Sequence, residues 1–143
     1  MPPVMLYYLT SKENVREVVF KYDKNKYANY GFDKDAKPTT LSKAELAEMK
    51  KLIKARVAVY NQGKNPKDRY EFIKEPEKYF KQIIPVINSK GEKELWVQCS
   101  CQVMKDYWQK GIGVTSDGGI CNLVFRINLT KRSVMSFSRA GDG

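Results

Sequence analysis

The sequence predicts a single α+β domain: one long helix packed on a twisted antiparallel sheet of four to six strands. Three observations predict it. A capped amphipathic segment runs from Ser42 to Tyr60. Two later segments, Leu95 to Val103 and Cys121 to Leu129, alternate apolar and polar residues with a period of two. Of the first 94 residues 33 are charged, against 9 of the last 49, as expected when helix and loops precede a half-buried sheet. At 143 residues the chain can bury one core and not two, so residues 1–143 are read as one domain.

Each element has a local reason. Val15 to Tyr22 is rich in β-branched and aromatic residues and reads as a strand, with a short helix after Ser11 as the alternative. Asp23 to Thr40 is polar, with Asn, Gly and Pro, and reads as a long connection. Ser42-Lys43-Ala44-Glu45 is a capping box, in which hydroxyl and carboxylate satisfy amides left without partners at a helix start. Leu46, Met49, Leu52, Ile53, Val57 and Tyr60 then share one arc, with Lys43, Lys50, Lys51 and Lys54 away from it, and Gly63 ends the helix. Asp68 to Tyr79 reads as a short helix broken at Pro76. An antiparallel meander over 79–138 follows. Tyr79 to Ile87 is a strand whose Pro85 points to an edge or bulge, and Asn88-Ser89-Lys90-Gly91 is a hairpin turn. Trp108 to Thr115 is a further strand, and Asp117-Gly118-Gly119 is the next turn. Ser133 to Ser138 closes the sheet with Met135 and Phe137 inward. One sheet face is apolar and the other polar, as a single helical cover requires.

Composition excludes several kinds of chemistry. The chain has no histidine, which removes the usual general base and the usual zinc ligand. There is no phosphate-binding glycine loop, and no local sequence nominates a catalytic pair. No enzymatic activity, cofactor or metal is expected. Cys99, Cys101 and Cys121 all fall on the apolar face; the simplest reading is three buried free thiols, with a cross-strand disulfide from Cys121 as the alternative. No apolar run is long enough for a membrane span. Without a visible secretory signal the chain reads as cytoplasmic as written, or as a cell-envelope protein if an export signal has been removed. The formal charge is +10, and 20 of the 26 cations are Lys, which favours diffuse attraction to anions over reading of base edges.

A strand, a long helix and an antiparallel meander are together similar to the cystatin-like arrangement, in which a curved sheet wraps one helix. Gly91-Glu92-Lys93-Glu94-Leu95-Trp96-Val97-Gln98-Cys99-Ser100-Cys101, Asp117-Gly118-Gly119-Ile120-Cys121-Asn122 and Ile127-Asn128-Leu129-Thr130 resemble a pattern in uncharacterised small bacterial proteins of the cell envelope. The resemblance spans roughly residues 79–138 and implies the fold and an envelope location, but no activity. Cystatins grip proteases with Gln-x-Val-x-Gly; that pentapeptide is missing, so protease inhibition is not implied.

Three candidate sites remain. The polar sheet face offers Trp96, Gln98, Arg126 and Asn128 to a protein or other macromolecular partner, with Trp and Arg as anchors. Trp96 has an alternative, cover by the N-terminal segment with Tyr7 and Tyr8. Lys24, Lys26, Tyr27 and Tyr30 interleave cations with rings and suit single-stranded nucleic acid, unless those rings lie on the domain. Arg56 falls within the apolar helix arc, either snorkelling past the sheet or facing a small ligand between helix and sheet. The leading expectation is a non-catalytic interaction module using the polar sheet face. Charge-driven nucleic-acid binding comes second, and a small-ligand site third.

Overall fold

Ser42 caps the single α-helix among the described residues, α1 (Lys43–Asn61), with its hydroxyl accepting from Glu45 N while the Glu45 carboxylate accepts from Ser42 N. Two amides with no helical partner are thus satisfied, and the box read from sequence is present. Met49, Ile53 and Val57 are buried along one stripe, and Leu46, Leu52 and Tyr60 flank it. Gly63, at φ +78, takes the left-handed conformation just past the helix end, where a Cβ would be strained.

A computed structural model describes residues 15–113 and 118–140, with the backbone of β1 (Tyr8–Thr10). The remaining strands are β2 (Glu17–Val19), β3 (Lys37–Pro38), β4 (Phe80–Ile87), β5 (Lys93–Ser100), β6 (Gln102–Met104), β7 (Asn122–Asn128) and β8 (Ser133–Arg139). The protein is α+β, with α1 packed against a mixed six-stranded sheet of order β2-β4-β5-β7-β8, in which β3 also pairs with β4. β4, β5, β7 and β8 form the antiparallel meander, with Ile83 opposite Val97 and Val97 opposite Phe125. Ile83, Leu95, Val97, Leu123, Phe125 and Ile127 meet Met49, Ile53 and Val57 in one core.

Several sequence expectations are corrected. The sheet is not wholly antiparallel, because β2 runs parallel to β4, with Glu17 opposite Lys81 and Val19 opposite Ile83. β4 is an interior strand, not an edge. Its Pro85 falls between the residues paired with β2 and those paired with β3, at a position where no ladder amide is required. Pro76 does not break a helix but opens a short 3-10 turn, Pro76–Lys78, where its fixed φ suits a first helical position. Over 105–113 there is a turn and irregular backbone where a strand was expected, and 114–115 lie outside the described residues. The long alternating segment divides at Cys101, and β6 leaves the main sheet to pair with β1. Met135 is exposed because a bulge between Arg126 and Ile127 shifts the β8 register.

The face opposite α1 is also covered. Tyr22, Tyr27 and Ala36 of the 20–36 connection are buried against Ile84, Val86 and Trp96, with Phe20, Tyr30 and Phe32 beside them. The rings meet edge to face: Tyr22 and Phe32 at 5.1 Å, Tyr27 and Tyr30 at 5.1 Å, Tyr30 and Trp96 at 4.7 Å. Seven consecutive residues of β5 are buried despite their alternation, Trp96 under this cover and Gln98 and Ser100 beyond it. The cysteines are corrected too. Cys101 and Cys121 form a disulfide with Cα atoms 4.9 Å apart, leaving Cys99 as a free, buried thiol. The half-exposed pair meets where Cys101 N donates to Cys121 O, so the backbone already holds the two thiols together.

Candidate functional site

The four residues expected to present an open polar face share one side of the sheet, opposite the helix, but not one surface. Trp96 is 8 % exposed beneath Tyr30. Its cover is the 20–36 connection; Tyr7 and the Tyr8 side chain lie outside the described residues. Arg126 is half-buried and pins that connection, donating from Nη2 to Gly31 O at 2.8 Å, with Glu94 at 3.5 Å. Asn128 is 4 % exposed, and its Oδ1 accepts from Lys131 N in the β7–β8 turn. These three groups use their polar atoms or their area to hold the fold together.

Gln98 leads to a different place. Where the connection stops covering the sheet, a cleft of about 550 Å³ opens over the ends of β4, β5 and β7. Its floor is a row of neutral polar side chains from facing strand positions: Gln82 opposite Gln98, and Ser100 opposite Asn122. Gln82 Nε2 donates to Trp108 O at 2.7 Å and Gly111 O at 2.9 Å, fixing the 104–111 turn as one wall. Gln98 Nε2 donates to Gln82 Oε1 and to Gly113 O, both at 3.3 Å. That commits both donors and leaves Gln98 Oε1 with no partner among the described residues. Ser100 Oγ donates to Asn122 Oδ1 at 3.0 Å, keeping its lone pairs as acceptors. Trp108 is buried edge-on against Phe80 at 5.2 Å, whereas the Tyr107 ring stands 52 % exposed at the rim.

The opposite wall is the 3-10 turn Gly119–Cys121, entered through Gly118 at φ +100. The Cys101–Cys121 disulfide ties this wall to the end of β5. None of the thirteen described lining residues carries a carboxylate, amine or guanidinium, in a chain where 29% of residues are charged. The sequence signal was the run of neutral polar side chains Gln98, Ser100 and Gln102 along one strand face. Gln82, Tyr107, Trp108 and Asn122 were missed because they reach the site only through strand pairing and the 104–111 turn.

The other candidates are equally concrete. Tyr27 is 3 % exposed and Tyr30 packs on Trp96, so these rings lie on the domain while Lys24 and Lys26 stay exposed. Burial raises both phenol pKa values, with Asp23 adding to the effect at Tyr27 and Tyr27 at Tyr30. Arg56 lies 5.0 Å from the Phe137 ring centroid, a cation–π contact in the place a ligand was expected to take. Beneath it, Met49, Ile53 and Val57 fill the helix–sheet interface. The Cys99 thiol is pushed up to about 12 by burial, against a lesser pull from Lys81 in the facing register position, so it stays protonated and is no nucleophile. Lys81 is itself buried, its pKa lowered by desolvation, and donates to Pro76 O and Tyr79 O. Among the described residues no three His, Cys, Asp or Glu gather to hold a metal ion, and no helix is long and apolar enough to cross a membrane. The chain matches no protein-family model, no curated protein and no solved structure, so the chemistry of the cleft is argued from its own residues.

Proposed function

We propose that the protein is a non-catalytic binding module that takes a macromolecular partner in the cleft at the open end of its polar sheet face. The cleft itself carries this reading: a preformed hollow of about 550 Å³ whose amides are locked by hydrogen bonds to surrounding backbone. Its described lining supports binding without catalysis. General acid–base chemistry needs a titratable group beside the reacting atoms, and apart from the Tyr107 phenol at the rim those residues offer neutral amides, a hydroxyl, apolar side chains and a disulfide. The disulfide supports an oxidising compartment, in keeping with the resemblance to envelope proteins. Nucleic-acid binding is left with net charge alone, because Tyr27 and Tyr30 are committed to the domain.

The test places a photo-reactive benzoylphenylalanine at position 107, on the cleft rim, or at Tyr70, which is 67 % exposed and does not line the cleft. Irradiation in the cells that make the protein should give high-mass adducts from position 107 and not from position 70. Adducts equal at both positions, or none at 107, reject the cleft as the partner site.

A further inference from the structure

We infer that the cleft recognises an uncharged, hydroxyl-rich ligand, the neutral sugar units of a glycan chain; the inference rests on the cleft being the binding site. Three observations lead to it. The first is charge. The chain is +10 overall, yet none of the thirteen described lining residues is ionised. An anionic ligand would be met by Arg or Lys forks or ammonium groups, and a cationic one by carboxylates, so the lining selects for neutrality.

The second observation is hydrogen-bonding polarity. Gln82 is fully used, by Trp108 O, Gly111 O and the Gln98 amide. Gln98 has given both N–H groups to Gln82 and Gly113, and Ser100 has given its hydroxyl proton to Asn122. The floor still presents acceptor capacity, Gln98 Oε1 and the Ser100 Oγ lone pairs, held in place by a network that cannot rotate without losing its bonds, and the exposed Gln102 amide beside it adds a mobile donor and acceptor. Sugar hydroxyls are donors that can turn to meet fixed acceptors. At the rim, the exposed Tyr107 ring supplies a flat apolar face for the C–H side of a pyranose, and losing its few torsional freedoms costs little.

The third observation separates a glycan from a peptide. An extended peptide gains affinity by adding a strand to an open sheet edge. The main-sheet strands beneath the cleft offer none: β4 lies between β2 and β5, β5 between β4 and β7, and β7 between β5 and β8, while β6 at the wall pairs only with β1 and its three residues are too short an edge to hold an extended peptide. A helical peptide needs a continuous apolar groove, whereas here the large apolar side chains, Val103, Met104, Tyr107 and Trp108, all come from the one wall over 103–108 and the floor is a row of amides and a hydroxyl.

The experiment is a titration of the ¹⁵N-labelled, disulfide-intact chain, following the side-chain amides of Gln82 and Gln98 and the backbone of Tyr107. The probes are cellohexaose, xylohexaose, maltohexaose, mannohexaose and chitohexaose, with hexagalacturonate as the anionic arm and the neutral peptide (Ser-Gln-Gly)₃ as the peptide arm. At least one neutral hexasaccharide should shift these signals to saturation. Tyr107→Ala should weaken that binding by tenfold or more with unchanged unfolding, while Tyr70→Ala leaves it unaltered. The sugar assignment is overturned if no neutral hexasaccharide shifts the cleft signals, or if hexagalacturonate binds more tightly than all of them. Should the peptide alone shift them, or cross-linking at position 107 persist without any saccharide response, the glycan inference falls and the binding module stands. Silence in both experiments removes both.

Discussion

Arg126 holds the Gly31 carbonyl at 2.8 Å across 95 residues of chain, so its guanidinium fastens the connection to the sheet and is not a free anchor. Arg126→Ala should cost about 1 kcal/mol of stability, less than for a fully buried charged bond because the side chain is 30% exposed. A loss below about 0.3 kcal/mol in urea titration contradicts that role. Asp33 makes a similar link, its carboxylate accepting from Ser89 N at 2.8 Å and Asp35 N at 2.9 Å. Hydrogen bonding to Ser89, then to Asp35, lowers its pKa from 3.8 to about 2. A lowered carboxylate contributes stability that is complete above the unfolded value and lost as pH falls through the folded one, here from about pH 4 towards 2. The Asp33 carboxyl should titrate with a midpoint near 2 by NMR; a midpoint near 3.8 means the link is not made in solution. Cys99 is buried and held protonated, so iodoacetamide at pH 8 should leave the native protein unmodified. After denaturation and reduction mass spectrometry should count three adducts, one for each cysteine. One adduct on the native chain would mean that the strand opens.

At the scale of elements, the disulfide and the helix cap make separable contributions. Cys101 and Cys121 are 20 residues apart, and closing that loop in the unfolded chain corresponds to about 3 kcal/mol of stabilisation. Cys101→Ser with Cys121→Ser should lose roughly that much. The paired change should also free the Gly119–Cys121 wall, so backbone amide exchange at Ile120 and Asn122 should accelerate more than at Ile53. Ser42→Ala should cost about 1 kcal/mol, because the Glu45 amide loses the hydroxyl that caps it, while the backbone amide of position 42 keeps the Glu45 carboxylate. The helix was legible in sequence because its signals are local: a cap, a 3.6-residue stripe and a terminal glycine. The apolar alternation of β5 and β7 was legible for the same reason. The parallel pairing of β2 was not, since three residues carry no mark of direction and their partner lies more than sixty residues away. The bulge that turns Met135 outward is likewise set by register against β7 and not by the composition of β8.

At the scale of the molecule, the sheet has two covers where the sequence showed one. The second is built of aromatic residues spaced irregularly through a polar connection, Tyr22, Tyr27, Tyr30 and Phe32, which have no periodicity to reveal a buried face. The Trp96 face is polar by composition yet interior by position, with the Gln98 amide given to a loop carbonyl 15 residues away and that of its β4 neighbour Gln82 to one 29 residues away. Gln98 was therefore found for its polarity, while its neighbours in the cleft emerged only from the fold. The positive charge is spread over exposed lysines such as Lys24, Lys26, Lys51 and Lys54, and does not converge on the cleft. The central claim is that the polar sheet face is packed beneath the connection at Trp96 and borders the cleft only from Gln98 onward, among the described residues. Equilibrium urea unfolding of Trp96→Ala and Tyr107→Ala tests it most directly. The expected result is a loss of about 3–5 kcal/mol for Trp96→Ala, the cost of emptying a buried aromatic site, and about 0.5 kcal/mol or less for Tyr107→Ala. Equal small losses, or the larger loss at Tyr107, would place Trp96 on the surface and contradict the account.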